Sequence, residues 1–140
     1  MPSARPIRIL CVDDNPEIIE AIRLRLASQP GYAWAGSLAS ADRLLEVARV
    51  RRPDIILLDV DMPGRDPFET VLELAVHDSE LRVIMLSGHV RRDLINRAIG
   101  AGAWGYVAKC DGERAVLQAI EQVAAGEFVM SAEARSGYAL

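Results

Sequence analysis

A chain of 140 residues, 51% hydrophobic and 26% charged, is one domain's worth of sequence with enough apolar matter for a proper core, which excludes a disordered polypeptide. The net charge of −4 argues against a dominant nucleic-acid-binding surface. No apolar run approaches the ~20 residues that span a bilayer, and Met1-Pro2-Ser3-Ala4-Arg5-Pro6 lacks the apolar core of a signal peptide, so a soluble cytoplasmic domain is expected.

Pro6 to Val12 reads as a first strand, apolar at Ile7, Ile9, Leu10 and Val12 and ending in Asp13-Asp14. Asn15 and Pro16 then supply an N-cap and a proline at the first helical position. The following helix puts Ile19, Ile22 and Leu26 on one face, and Gln29-Pro30-Gly31 stops it. Tyr32 to Gly36 is a weak second strand containing Trp34. Ser40 is expected to open a helix with an Ala41, Leu44, Leu45, Ala48 stripe. Arg49, Arg51 and Arg52 at its end read as solvated cations that offset the helix dipole and cover apolar surface.

The central stretch is Asp54-Ile55-Ile56-Leu57-Leu58-Asp59-Val60-Asp61-Met62-Pro63-Gly64. A short continuous apolar run bounded by turn residues suits a strand buried on both faces, which leaves Asp59 where that strand exits the sheet. Asp66-Pro67-Phe68-Glu69 starts a third helix, with Phe68, Val71, Leu72 and Ala75 expected to be buried. Leu81 to Leu86 is a fourth strand ending at Ser87-Gly88-His89. Arg91 to Ala101 is a helix with Leu94, Ile95, Ala98 and Ile99 facing inward. Ala103 to Ala108 is a fifth strand ending at Lys109. Asp111 is expected to cap a last helix carrying Val116, Ile120 and Val123, closed by Gly126.

Strands alternating with helices through short connections predict a doubly wound, five-stranded parallel α/β sheet in one domain. In such a sheet every C-terminal strand end lies on one rim, where ligands bind. The residues that follow the strands are Asp13-Asp14, Asp59, Ser87 and Lys109. Taken singly each has a plain use, Asp59 opening a turn, Ser87 capping a helix and Lys109 carrying a surface charge. Together they make a site. Three carboxylates held close repel one another, a hard divalent cation relieves that repulsion, and oxygen ligands with retained waters favour Mg²⁺. A carboxylate facing a metal, a lysine and a hydroxyl is equipped to accept a phosphoryl group as an aspartyl phosphate.

The acidic pair, the Asp-x-x-Met-Pro-Gly run, Ser-Gly and Gly-Tyr-Val-Ala-Lys occur in order, and this set resembles the receiver domain of two-component response regulators from about Arg5 to Gly126. The resemblance implies a flavodoxin-like sheet of order 2-1-3-4-5, with a receiver domain over residues 1–126 and a C-terminal tail or truncated linker over 127–140. It implies Asp59 as phosphoacceptor, Asp14 as a direct Mg²⁺ ligand, Asp13 acting through water, and the backbone carbonyl of Asp61 as a further ligand. Lys109 would pair with the phosphoryl oxygens, and Ser87 would swing to bond them while Tyr106 turns inward. Asp61 and His89 would modulate phosphoryl lifetime. The implied activity is acceptance of a phosphoryl group from a sensor histidine kinase or phosphotransfer protein. Catalysis would be confined to the domain's own phosphorylation and dephosphorylation, and the response would be a switch of the face formed by helix four, strand five and helix five, with homodimerisation as an expected consequence.

Pro67 stands where the family often has glycine. Cys110 stands where many members carry a cis-proline, which leaves the Lys109–Cys110 peptide open between cis and trans. Cys11 and Cys110 read as small reduced residues without metal-ligand spacing, and His77 reads as a surface residue. The run Gln122 to Ser131 resembles the segment that joins receivers to helix-turn-helix domains in NarL/LuxR-type regulators. Only Ala132 to Leu140 follows, too short for a DNA-binding domain, so both a stand-alone receiver and a module of a longer regulator stay open.

Two other signals are set aside. Gly100-Ala101-Gly102-Ala103-Trp104-Gly105 matches a dinucleotide fingerprint but ends a helix and opens a strand, the reverse of what that fingerprint needs. Asp59-Val60-Asp61 matches the Asp-x-Asp of haloacid-dehalogenase-type phosphatases, but those carry the motif on the first strand and the acidic pair last. An unphosphorylated interaction module on the receiver fold is the other alternative.

Overall fold

The computed structural model describes residues 5–139. The Met1–Ala4 part of the leader expectation, the start of the 1–126 range and Leu140 at the end of the tail lie outside the described residues. Strands β1 (Ile7–Val12), β2 (Tyr32–Leu38), β3 (Ile55–Asp59), β4 (Arg82–Ser87), β5 (Gly105–Ala108) and β6 (Val129–Met130) form one sheet. Its order is β2-β1-β3-β4-β5-β6, and every neighbouring pair is parallel. Helices α1 (Pro16–Ala27), α2 (Leu44–Arg51), α3 (Pro67–His77), α4 (Arg92–Ala101), α5 (Gly112–Ala124) and α6 (Ala132–Ala139) make the crossovers and the final segment.

β3 is the axis. All five of its residues are buried, because helices cover both faces of a parallel sheet. Ile56 and Leu58 face the cluster shared with α2, α3 and α4, whereas Ile55 and Leu57 face the one shared with α1 and α5. Each such side chain contributes about 1.5–3 kcal/mol on burial, so the strand that presents Asp59 is held from both sides.

The sheet has six strands where five were expected. β6 is two residues long, too short for an alternation to register. Gly105 admits it, since a Cβ there would lie 3.0 Å from Val129 Cγ1. Beyond β6, residues 132–139 form α6, and Ala134 on it is fully buried.

Other expectations shift by part of a turn. α2 begins at Leu44 rather than Ser40, whose hydroxyl accepts from Asp42 N–H in a preceding turn. On α3 the sheet takes Phe68, Val71 and Leu74, while Leu72 is half exposed and Ala75 faces solvent. On α4 it takes Ile95, Ala98 and Ala101, leaving Ile99 exposed. Each helix carries two overlapping apolar stripes, and packing against the sheet chooses one.

Arg51 has a larger role than a solvated cap. β1 and β2 slip register at Ala35, and the Arg51 guanidinium donates to the Ala35 carbonyl at 2.9 Å. Gly36, at φ +116°, makes the room, because a Cβ there would fall 1.8 Å from Arg51 Nη1.

Candidate phosphoryl-acceptor site

The rim at the C-terminal ends of the strands brings Asp13, Asp14, Asp59, Ser87 and Lys109 together. Backbone pairing of Asp13 N–H with the Leu38 carbonyl at 3.0 Å carries β1 one residue past its apolar run, and Asp13 is fully buried. Its Oδ1 accepts the Asn15 N–H at 2.9 Å, and Asn15 in turn caps α1 by accepting from Glu17 N–H. Asp59 is 2% exposed, and its Oδ1 accepts the Asp61 N–H at 2.9 Å. Asp14 is exposed at the mouth. One carboxylate oxygen from each of Asp13, Asp14 and Asp59 lies within 4.8 Å of the others.

Lys109 sits between two of these charges, its Nζ 3.0 Å from Asp13 Oδ2 and 3.1 Å from Asp59 Oδ2. Burial pulls the ammonium down, but the close Asp13 and Asp59 carboxylates together outweigh it and hold Lys109 above its ordinary value. Burial pushes the Asp59 carboxyl up and the Asp13 charge adds to this, against the opposing pull of the Asp61 N–H and Lys109. One ammonium thus touches two of three clustered carboxylates. Among the described residues, Asp13 Oδ2 is the one buried side-chain polar atom without a hydrogen bond, its Lys109 contact being an ion pair only. A buried, underserved carboxylate oxygen beside two other hard oxygen donors fits a divalent cation.

The opposite wall is built from β4 and β5. Ser87 is fully buried. Its hydroxyl donates to the His89 carbonyl at 2.7 Å and accepts the His89 N–H at 2.9 Å. Tyr106 is 1% exposed and donates its hydroxyl to the same carbonyl at 3.0 Å. Burial pushes the Tyr106 phenol up, so it stays a donor. Asp61 ties the two loops together, accepting Gly88 N–H at 2.7 Å on Oδ2 and placing Oδ1 3.1 Å from His89 Nδ1. Asp61 and His89 therefore stand at the edge of the site as a linked pair, and the His89 ring is mostly exposed.

Other sequence-predicted residues lie apart. His77 is exposed at the end of α3. Cys11 is buried in the α1–α5 core, where burial and then Asp13 push its thiol up to about 12, and Cys110 is exposed. The Lys109–Cys110 peptide is trans, with no cis bond among the described residues. Residues Lys109–Asp111 form a 3-10 turn, and Lys109 rests against Asp13 and Asp59. Trp34 and Trp104 pack partly buried on the core, and Trp104 is stacked under Arg82 at 4.3 Å.

Two residues next to the site link it to the final segment, and one of them corrects an expectation. Asp111 makes no side-chain cap for α5, and its carboxylate accepts the Glu133 N–H at 2.9 Å instead. Ser131, 7% exposed, accepts the Ala108 N–H on its hydroxyl at 2.9 Å, one residue before Lys109. Neither contact has a local sequence signal, because each joins positions more than twenty residues apart.

Comparison with known proteins gives concordant findings. The response regulator receiver domain family is matched over residues 9–121. The chain is 30% identical over 131 residues to the nitrate/nitrite response regulator NarL of Escherichia coli, covering 94% of this chain and 61% of NarL. It is 31% identical over 134 residues to the response regulator GacA of Pseudomonas aeruginosa, covering 96% of this chain and 63% of GacA. The chain thus spans about three fifths of the length of these relatives. A two-component response regulator of the LuxR family from an Aurantimonas species superposes with a TM-score of 0.89 at 31% identity, covering 96% of both chains.

Proposed function

The chain belongs to the response regulator receiver domain family, in its NarL/LuxR-type branch, and we propose that Asp59 is the residue that accepts the phosphoryl group. The observation that carries this is the placement of a buried carboxylate whose Oδ2 lies 3.1 Å from Lys109 Nζ, beside two further carboxylates and a buried hydroxyl.

In the transfer, an Asp59 carboxylate oxygen attacks phosphorus as the bond from phosphorus to the donor histidine nitrogen breaks. The nitrogen keeps that electron pair, and the imidazole leaves neutral because its other ring nitrogen carries a proton throughout. Lys109 stabilises charge gathering on the phosphoryl oxygens, and moves little to do so because it already rests against Asp59. Ser87 exchanges its bond to the His89 carbonyl for one to a phosphoryl oxygen. Asp14, Asp13, Asp59 and the Asp61 backbone carbonyl would hold Mg²⁺, Asp13 through water. When bound, the ion neutralises carboxylate repulsion and draws charge from the phosphoryl oxygens.

The donor is the phosphohistidine of a sensor kinase or phosphotransfer protein in the cytoplasm, and homodimerisation follows phosphorylation. Among the described residues no helix is long and apolar enough to cross a membrane. The test is incubation with phosphoramidate, a small donor carrying the same phosphorus–nitrogen bond. Hydroxylamine-labile phosphate that appears with Mg²⁺, disappears with a chelator and is absent from Asp59→Asn supports the reading. Equal labelling of Asp59→Asn overturns it.

A further inference from the structure

α6 is bound to both loops that carry the working residues. Its Ala134 is fully buried, and Tyr138 packs on the same apolar cluster as Tyr106, Val90, Leu94 and Met130. On the side of the β5–α5 loop, Ser131 takes the Ala108 N–H and Asp111 takes the Glu133 N–H, so the ends of the turn carrying Lys109 are tied to the start of α6. On the side of the β4–α4 loop the fit is closer still. A Cβ on Gly137 would lie 2.3 Å from Val90 Cγ1 and 2.7 Å from the Val90 carbonyl, so only glycine lets α6 approach there. Arg92 Nε donates to the Tyr138 carbonyl at 2.6 Å, and the Tyr138 hydroxyl donates to Asn96 Oδ1 at 3.1 Å.

Val90 follows His89, whose carbonyl is held by Ser87 and Tyr106 together. Withdrawal of the Ser87 hydroxyl toward a phosphoryl group removes one of the two bonds that position this segment. A helix of eight residues is too short to persist without its tertiary contacts, and the Gly137 contact leaves no slack for Val90 to move toward it. We propose that α6 is a tethered ligand of the α4–β5 edge, docked while Ser87 is bonded to the His89 carbonyl and released when a phosphoryl group occupies Asp59. This rests on Asp59 being the phosphoacceptor. The coupling is reciprocal, so weakening α6 docking strengthens binding at the site by the same factor.

The experiment is amide hydrogen exchange on the full chain with and without Mg²⁺ and beryllofluoride, a tetrahedral acyl-phosphate mimic. Amides of Asp59 to Asp61 report occupancy of the site, and amides 132–139 report α6. The expected result is added protection at the site with at least about a 5-fold loss of protection across α6. Protection at the site with α6 unchanged or tightened overturns the release. No response at either place overturns the reading of Asp59 and the release with it. Gly137→Val, which forces α6 off Val90, is expected to bind beryllofluoride about 5-fold or more tightly. Arg92→Ala, an exposed change that keeps the fold, is expected to shift affinity the same way by less. Lower melting temperatures with unchanged affinity would mean that α6 is structural only.

Discussion

Ser87 and Tyr106, from neighbouring strands, donate to one acceptor, the His89 carbonyl, at 2.7 and 3.0 Å. The shared acceptor is where the phosphoryl site and the α4–β5 edge meet. Removing one hydroxyl leaves the carbonyl satisfied by the other. Ser87→Ala is therefore expected to fold, to accept a phosphoryl group more slowly, and to lose the phosphorylation-induced NMR shifts around Tyr106. Shifts equal to wild type would refute the coupling.

Tyr106→Phe removes the other donor while keeping the ring in the core. It is expected to cost about 0.5–1.5 kcal/mol in urea unfolding, with the rate of phosphorylation little changed, because the hydroxyl touches the His89 carbonyl and not the carboxylates. A loss of phosphorylation comparable to that of Asp59→Asn would contradict this placement.

Asp59 has a raised pKa, so its protonated form is favoured by folding and its ionised form disfavoured. The stabilising contribution is complete below the ordinary aspartate pKa and is lost as pH rises through the raised one. At neutral pH the ionised carboxylate is a liability. Asp59→Asn in a chelator is expected to melt about 2–5 °C higher than wild type at pH 7. The gain should shrink as pH falls through the Asp59 pKa. A variant that is destabilised at pH 7, or stabilised equally at pH 4, would contradict the electrostatic account.

Lys109→Met strips Asp13 Oδ2 and Asp59 Oδ2 of their positive neighbour. It is expected to lose about 2–3 kcal/mol without metal, less than for a fully buried pair because the lysine is a quarter exposed. Since the ammonium competes with a cation for the same oxygens, Mg²⁺ should bind the variant more tightly by calorimetry and restore much of the stability. Weaker Mg²⁺ binding would show that Lys109 organises the carboxylates rather than competing for them.

Gly36→Ala places a methyl against the Arg51 guanidinium at a backbone angle that favours glycine. A cost of about 1–3 kcal/mol is expected, and part of it should vanish in an Arg51→Ala background, as a double-mutant cycle would measure.

What could be read from the sequence was whatever depends on local pattern. The Ile55–Leu58 run, bounded by turn residues, suits a strand buried on both faces, and that places Asp59 on the rim. The same rule places Asp13, Ser87 and Lys109, so the members of the site were legible before their distances. Contacts between a side chain and a distant backbone leave no such pattern. Arg51 looked like a solvated cation and bonds the Ala35 carbonyl. Asp111 looked like the cap of α5 and serves α6. Ser131 carried no signal at all, and β6 is too short to alternate. The Asp111 and Ser131 contacts, with β6, are also what hold the final segment to the site.

The most direct measurement is intact mass with peptide mapping after incubation with Mg²⁺ and a small acyl phosphate, for wild type and Asp59→Asn. The account predicts one added phosphoryl group, located on the peptide containing Asp59, dependent on Mg²⁺ and absent from the variant. An adduct on another residue, or one that forms equally in Asp59→Asn, would contradict it.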